Sequence, residues 1–340
     1  MRAIWITKYG GPEVLQVREE PDPTPGPGEV RVRARAVGLN FAEVTARQGL
    51  YPDAPKAPCV VGYEGAGVVD AIGEGVTRCK PGQRVLFMSR FGGHADVVAV
   101  PEAQVVPMPD DMSFEHGAAL PVNYITAYHM LFVVRRIKPG DRVLVHMAAG
   151  GVGTAVLQLC RTVDSVTTIG TASAKKHEYA RRNGCDHVID YHSVDYVREV
   201  RRLTNGKGVD LVLDALGGPD WKKGYSLLAP GGLLIAFGLA NAFGPGKRNL
   251  LHAATQVLKQ PLFHCMKLMN ENRAVAGVNM GHLWEQLELL TGQADALLAL
   301  YRGGRIKPHV CGVYPFSRAG EAHRELEHGR NLGKIVLVPD

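Results

Sequence analysis

One segment constrains this chain more than any other: Val143-Leu144-Val145-His146-Met147-Ala148-Ala149-Gly150-Gly151-Val152-Gly153-Thr154-Ala155-Val156. Apolar β-formers pass into glycines, and an apolar helical run follows at once. Backbone N–H groups and a helix N-terminus therefore meet at one point, which attracts a pyrophosphate. Gly150, Gly151 and Gly153, with Val152 between them, let the backbone approach such a ligand and let the helix pack on the strand. A glycine cluster alone says little in a chain with 40 glycines. A second β-rich run, Val166 to Ile169, follows the helix and completes a βαβ unit. The segment predicts a dinucleotide site.

The turn after that second strand discriminates between dinucleotides. An acidic residue about 20 positions past the glycines holds the ribose 2′-OH of NAD. Here the turn reads Gly170-Thr171-Ala172-Ser173-Ala174-Lys175-Lys176-His177, without a carboxylate. A carboxylate would repel a 2′-phosphate, whereas Ser173 and Lys176 would bind one. The expected cofactor is NADPH.

Strand and helix signals alternate from about Pro121: Val143 to Val145, Val166 to Ile169, His187 to Ile189, Val209 to Leu213 and Leu233 to Phe237, with helical runs between them. Such alternation predicts a doubly wound parallel sheet. Ligands bind at the carboxyl ends of such strands, which selects Leu216 in Asp214-Ala215-Leu216-Gly217-Gly218, and Phe237-Gly238. The first third reads differently. Glu29 to Val37 alternates like a half-buried strand, Val60 to Ile72 carries glycines among β-formers, and Lys80-Pro81-Gly82 precedes another strand. Lys334-Ile335-Val336-Leu337-Val338 is a terminal strand expected to return to that region. The expected fold is α/β: a parallel-sheet Rossmann domain, residues 123–278, inserted in a partly closed, mainly β domain formed by 1–122 and 279–340.

The 340 residues fit two domains, and 46% apolar with 21% charged residues supports sizeable cores. A net charge of +6 is spread along the chain, and no nucleic-acid module is recognisable. Six cysteines form no C-x-x-C pair, so neither disulfides nor a zinc knuckle is expected. Met1 to Ile6 leads into Lys8-Tyr9-Gly10 without the layout of a signal peptide, and no apolar run reaches about 18 residues. The expectation is a soluble cytoplasmic protein acting on a small molecule, with no nucleic-acid partner.

Gly62-Tyr63-Glu64-Gly65-Ala66-Gly67-Val68-Val69, Lys80-Pro81-Gly82-Gln83-Arg84-Val85 and Ala149-Gly150-Gly151-Val152-Gly153 resemble, in order, landmarks of the medium-chain dehydrogenase/reductase superfamily. The resemblance covers nearly the whole chain. Within the superfamily the chain is similar to the zinc-independent quinone oxidoreductases that include zeta-crystallin. Gly170 to Ala174, Asp190-Tyr191-His192 and Arg273-Ala274-Val275 look most like the vesicle amine transport protein homologues. The resemblance implies a GroES-like fold for the β domain. Zinc-dependent members carry a Cys where this chain has Asn40 and a His where it has Tyr63, and they carry a four-cysteine lobe that has no counterpart here. Zinc needs three or four such ligands, and His94, His116, His129 and His146 lack metal spacing. No metal site is expected.

The resemblance also implies roles for particular residues. Asn40 would face the nicotinamide, although it also stands where an Asn caps the helix beginning at Phe41. Tyr51 matches the tyrosine that donates a proton in related enoyl thioester reductases; it could equally serve as a wall of the site. Thr126 is placed near the nicotinamide and Tyr191 near the adenosine phosphate. Asn331-Leu332-Gly333-Lys334 resembles a C-terminal cofactor-side turn. The implied activity is metal-free reduction of quinones or α,β-unsaturated carbonyls, whose conjugated acceptors need no strong Lewis acid. Enoyl thioester reduction and an NADPH-binding regulatory role without turnover are the alternatives. A homodimer joined near Ala274 to Val278 is expected, because an apolar edge strand is normally covered.

Overall fold

The computed structural model describes residues 1–244 and 249–340. These fall into two compact units, 1–125 with 280–340, and 126–244 with 249–279.

The first unit is built on β-strands. Along Glu29–Leu39, Val30, Val32, Ala34 and Ala36 are buried while Arg33 and Arg35 face out, the alternation of a half-buried strand. This strand is the centre of a seven-stranded sheet. The sheet runs Val310–Pro315, Lys334–Val338, Glu29–Leu39, Glu64–Ile72, Arg84–Met88 and Val105–Pro107, and Val97–Pro101 also pairs with Glu29–Leu39. The terminal strand lies antiparallel to Glu29–Leu39, with Ile335 opposite Leu39 and Leu337 opposite Val37. Val30, Val32, Val37, Leu39, Val85, Phe87 and Phe316 form the core against it. The strand signal from Val60 to Ile72 is not one strand. Cys59–Val60 joins a small sheet with Arg2–Ile6 and Leu15–Glu19, and Glu64–Ile72 joins the large one. The break falls at Gly62, whose φ of +110° turns the chain tightly against the His94 backbone.

The second unit is a six-stranded parallel sheet. Its spatial order is His187–Ile189, Thr167–Thr171, Arg142–Val145, Val209–Asp214, Leu228–Ala236 and Ala274–Gly277. Numbered along the chain this is 3-2-1-4-5-6, the doubly wound order. Leu144, Ile169, Val209, Val212 and Leu234 form its core. The helices Gly151–Cys160, His177–Arg182, Tyr196–Leu203 and Pro219–Ser226 follow, in chain order, the first four strands of this sheet. Two boundaries differ from expectation. The second strand extends to Thr171, and Leu228–Ala236 is one strand with a register shift opposite Val209 to Leu211, so Pro230 and Gly231 interrupt it without ending it. Among the described residues, no helix is long and apolar enough to cross a membrane.

One buried ion pair staples the first unit's N-terminal helix Phe41–Arg47 to its C-terminal helix Ala319–Glu327. Arg47, fully buried, donates to Glu327 Oε1 at 2.8 Å, and Gln48 Nε2 donates to the same oxygen at 2.6 Å. Removing one member strands the other charge in the interior. Glu327→Ala is therefore expected to lower the unfolding free energy by about 3–5 kcal/mol, measured by chemical denaturation. A double replacement of Arg47 and Glu327 by Met should cost less than Glu327→Ala alone.

Candidate functional site

In the second unit, five of the sequence-predicted segments lie at the carboxyl ends of neighbouring parallel strands. The strand Arg142–Val145 ends at His146. Met147 then takes a left-handed conformation (φ +54°), and Gly150 begins the helix Gly151–Cys160. Its N-cap Gly150 has no side chain to cap the first N–H groups, an arrangement that suits an anion at a helix N-terminus. A Cβ on Gly153 would lie 2.4 Å from the Met147 carbonyl oxygen, so only glycine permits this contact of helix and turn. Beside it, the strand Thr167–Thr171 leads to Ser173, half-buried, and a short turn Ala174–Lys176 in which the Lys176 N–H donates to the Ser173 carbonyl at 2.8 Å. Residues 172–177 contain no carboxylate. Tyr191 follows the strand His187–Ile189; the residue is 51% exposed and its ring lies against His192. Leu216 and Gly217 donate their N–H groups to Asp214 Oδ1 at 2.7 and 3.0 Å, and Phe237, preceding Gly238, donates its N–H to the Asp214 carbonyl at 3.0 Å. Thr126 is buried, on the helix Pro121–Tyr128.

Asn40, Tyr51, Asn331 and Lys334 belong to the first unit. Asn40 starts the helix Phe41–Arg47 and exchanges bonds with its third residue: its N–H donates to Glu43 Oε2 at 2.8 Å, and its Nδ2 to Glu43 Oε1 at 3.3 Å. The same Nδ2 donates to Glu64 Oε1 at 3.0 Å, and Asn40 Oδ1 accepts from Lys334 Nζ at 2.5 Å. Lys334 also pairs with Glu64, both buried, and Glu64 Oε2 accepts the Val122 N–H at 2.6 Å. Asn331 Nδ2 donates to the Gly333 carbonyl and shapes the turn ahead of Lys334. The Lys334 ammonium thus points inward and is held by Asn40 and Glu64. Burial pushes the Glu43 carboxyl up to about 8, so it is protonated at neutral pH. Burial likewise holds His94 down at about 4; its Nε2–H donates to the Gly38 carbonyl at 3.1 Å.

An aromatic cluster belongs to the same unit. Tyr63 is nearly buried. The Tyr51 ring meets it edge-on with centroids 6.5 Å apart, Phe91 lies 5.1 Å away, and Trp284 stacks on it at 6.2 Å with planes 9° apart. A hydrogen bond at 3.0 Å between His282 Nε2 and Asp53 Oδ2 ties the Tyr51 loop to the Trp284 segment. Burial raises the Tyr51 phenol above its ordinary value, and the Asp53 carboxylate adds to this. A half-buried phenol of this kind stays protonated at neutral pH and can donate a proton. Among the described residues, no group of three or more His, Cys, Asp or Glu is arranged to hold a metal ion.

Sequence reading overlooked several residues of these clusters. Glu43 was accessible through the Asn40-x-x-Glu43 spacing of a capping box. Trp284 and Phe91 had no such signal, because they meet Tyr63 only through tertiary packing. His146 and Asp214 flank the predicted cofactor turns, but nothing in their local sequence says that their side chains face each other.

The model of the alcohol dehydrogenase GroES-like domain matches residues 26–110, and that of the zinc-binding dehydrogenases matches 183–337. The human synaptic vesicle membrane protein VAT-1 homolog is 48% identical over 341 residues, covering 100% of this chain and 86% of the relative. The crystal structure of human VAT-1 homolog-like protein superimposes with a TM-score of 0.87 at 37% identity, covering 100% of this chain and 98% of that one. Escherichia coli quinone oxidoreductase complexed with NADPH gives a TM-score of 0.88 at 31% identity, with full coverage of both chains. With the doubly wound sheet, the GroES-like unit and relatives matched along its whole length, the chain belongs to the medium-chain dehydrogenase/reductase superfamily, in the zinc-independent quinone oxidoreductase-like branch that contains the VAT-1 homologues.

Proposed function

We propose that this protein is a cytoplasmic, NADPH-dependent oxidoreductase that reduces quinones or α,β-unsaturated carbonyl compounds without a metal. The observation that carries the reading is the turn after Thr167–Thr171. It presents Ser173 and Lys176 and no carboxylate, next to a glycine turn that a Cβ at Gly153 would fill. This donor set fits a 2′-phosphorylated dinucleotide. Gly150, Gly151, Val152 and Gly153 would take the pyrophosphate, Ser173 and Lys176 the 2′-phosphate, and Tyr191 the adenosine. Leu216, Phe237, Gly238 and Thr126 would complete the cofactor contacts. The E. coli quinone oxidoreductase, solved with NADPH, supports the same reading.

When bound, NADPH supplies the hydride. The protein's own residues then have three tasks. Asn40, held by Glu43, Glu64 and Lys334, is a rigid amide whose Oδ1 keeps one lone pair to accept from a carboxamide N–H. The Lys334 turn with Asn331 supports Asn40 from behind. Tyr51, protonated at neutral pH, offers a proton to the enolate that an enone becomes on reduction. A screen of NADPH oxidation with 1,4-quinones, enals and crotonyl thioesters tests the reading. Turnover confined to the thioester would favour an enoyl reductase, and tight binding without turnover would favour a regulatory protein.

We also propose a homodimer. The strand Ala274–Gly277 ends the parallel sheet and, among the described residues, pairs on one side only. Before it, Leu251, Leu258 and Leu262 are each more than 80% exposed, and Met266 and Met269 more than 60%. A second copy would cover this edge and this apolar face together.

Three outcomes are expected. Lys176→Ala should weaken NADPH binding by about 1–3 kcal/mol, the range for hydrogen bonds to a charged group, and leave NADH nearly unchanged; titration calorimetry showing equal losses would contradict the 2′-phosphate assignment. Tyr51→Phe should slow enone turnover by roughly 10²-fold while quinone turnover, whose product oxygen takes a proton from water, falls less. Unchanged steady-state rates on an active enone would leave Tyr51 as a wall of the site. Light scattering should give about twice the chain mass of 36.8 kDa, and Leu258→Glu combined with Met266→Glu should yield a folded monomer. A wild-type monomer at all micromolar concentrations would remove the dimer.

A further inference from the structure

Beneath the cofactor turns of the second unit lies a buried polar cluster to which the proposed chemistry gives no task. Its centre is His146, the residue that ends the strand Arg142–Val145 and opens the glycine turn, and it is 1% exposed. Its Nδ1 lies 3.0 Å from the hydroxyl of Thr171, the last residue of the neighbouring strand and two residues before Ser173. Its Nε2 faces Asp214 Oδ2 at 3.9 Å, across to the strand on the other side. Neither of these two facing atoms has a hydrogen-bond partner. The other oxygen of Asp214 holds the N–H groups of Leu216 and Gly217. The Tyr196 ring packs edge-on against the imidazole at 4.9 Å, and its hydroxyl donates to Asp220, which also accepts from Lys223 and from Asn241.

The protonation pattern follows from the partners. Burial lowers His146 below its ordinary value despite Asp214 and Asp220, with Lys223 acting in the same direction as burial, so the ring is neutral. A neutral imidazole has one N–H. Placed on Nε2, it points at the Asp214 carboxylate, and Nδ1 is left to accept from the Thr171 hydroxyl. The opposite tautomer would aim a lone pair at a carboxylate. One ring on the strand that carries the pyrophosphate turn therefore bonds the end of the neighbouring strand, at Thr171, which carries the 2′-phosphate turn, and faces the end of the other, at Asp214, which carries the Leu216 turn.

We propose that His146 is a positioning residue that sets the three cofactor turns relative to one another, and that its Thr171 arm tunes the preference for the 2′-phosphorylated dinucleotide. This rests on the NADPH reading above. A buried hydrogen bond to a rigid ring holds a strand end more closely than packing does, because an unmade one leaves a buried polar atom without a partner.

The test compares NADPH and NADH kinetics and binding for the wild type, Thr171→Val, His146→Leu, His146→Gln and the double variant His146→Leu/Thr171→Val. Thr171→Val keeps the shape and removes only the hydroxyl. It should raise KM for NADPH about fivefold, the effect of one net hydrogen bond, with KM for NADH and kcat within about twofold of wild type, the resolution of additivity. His146→Leu should raise KM for both cofactors, more for NADPH. His146→Gln, which retains a donor toward Asp214, should recover the NADH value and not the NADPH value. The double variant should discriminate no less well than His146→Leu alone, since both changes cut one arm. Should His146→Leu fail to fold, Thr171→Val and His146→Gln still decide. Equal losses for the two cofactors in both, or discrimination unchanged from wild type, overturn the inference while leaving NADPH binding intact. A wild type with no affinity for NADPH overturns the cofactor reading and this inference together.

Discussion

A buried ammonium organises the first unit. Lys334 comes from the last strand, Asn40 from the start of a helix near the N-terminus and Glu64 from the central sheet, and the three meet through Lys334 Nζ. An interior cation of this kind is tolerated only with an opposite charge and full hydrogen bonding. The cluster supplies the opposite charge of Glu64 and the Asn40 Oδ1 acceptor, and Glu64 additionally holds the Val122 backbone. Two distant stretches of chain must therefore close on each other before the charge is compensated. Register follows from this: the strand Lys334–Val338 begins at the paired lysine and runs antiparallel to Glu29–Leu39, which ends one residue before Asn40.

The same cluster bears on chemistry. An isolated Asn on a loop samples several rotamers, and its amide would be a poor orienting group. Asn40 is held through its N–H, its Nδ2 and its Oδ1 at once. Preorganisation of this sort lets one side chain orient a ligand without reorganising when the reaction occurs. Below it, Glu43 is protonated at neutral pH because burial disfavours its charged form. The region around Asn40 thus carries one buried carboxylate, Glu64, matched by one buried ammonium, Lys334.

The second unit solves a different problem. It must leave donors open where a polyanion is to bind and hold the layer beneath them in place. The helix Gly151–Cys160 has no side-chain cap, and the turn Ala174–Lys176 adds positive charge beside it. Directly under these turns His146 bonds Thr171 and Tyr196 bonds Asp220, while His146 Nε2 faces Asp214 Oδ2 at 3.9 Å. The contrast between an open layer and a cross-linked layer is what allows flexible loop backbone to present a fixed array of donors.

Much of the architecture was legible in local sequence. The alternation of Glu29 to Val37, the strand–glycine–helix run from Val143 to Val156, and the repeating strand and helix signals of the Rossmann unit each follow from a short period of apolar residues, and short periods are local properties. The missing carboxylate after Thr171 is likewise a matter of a few adjacent residues. The break at Gly62 was not legible, because the left-handed turn there is imposed by the approach of the His94 backbone. Nor was the inward direction of Lys334: its turn resembled a cofactor-side turn, and only the arrival of Glu64 and Asn40 makes the burial of its ammonium favourable. The stacking of Trp284 on Tyr63 and the meeting of three strand ends at His146 were decided the same way. Periodicity and turn chemistry are written in neighbouring residues, whereas the pairing of buried charges and rings depends on which distant segments the packed sheets bring together.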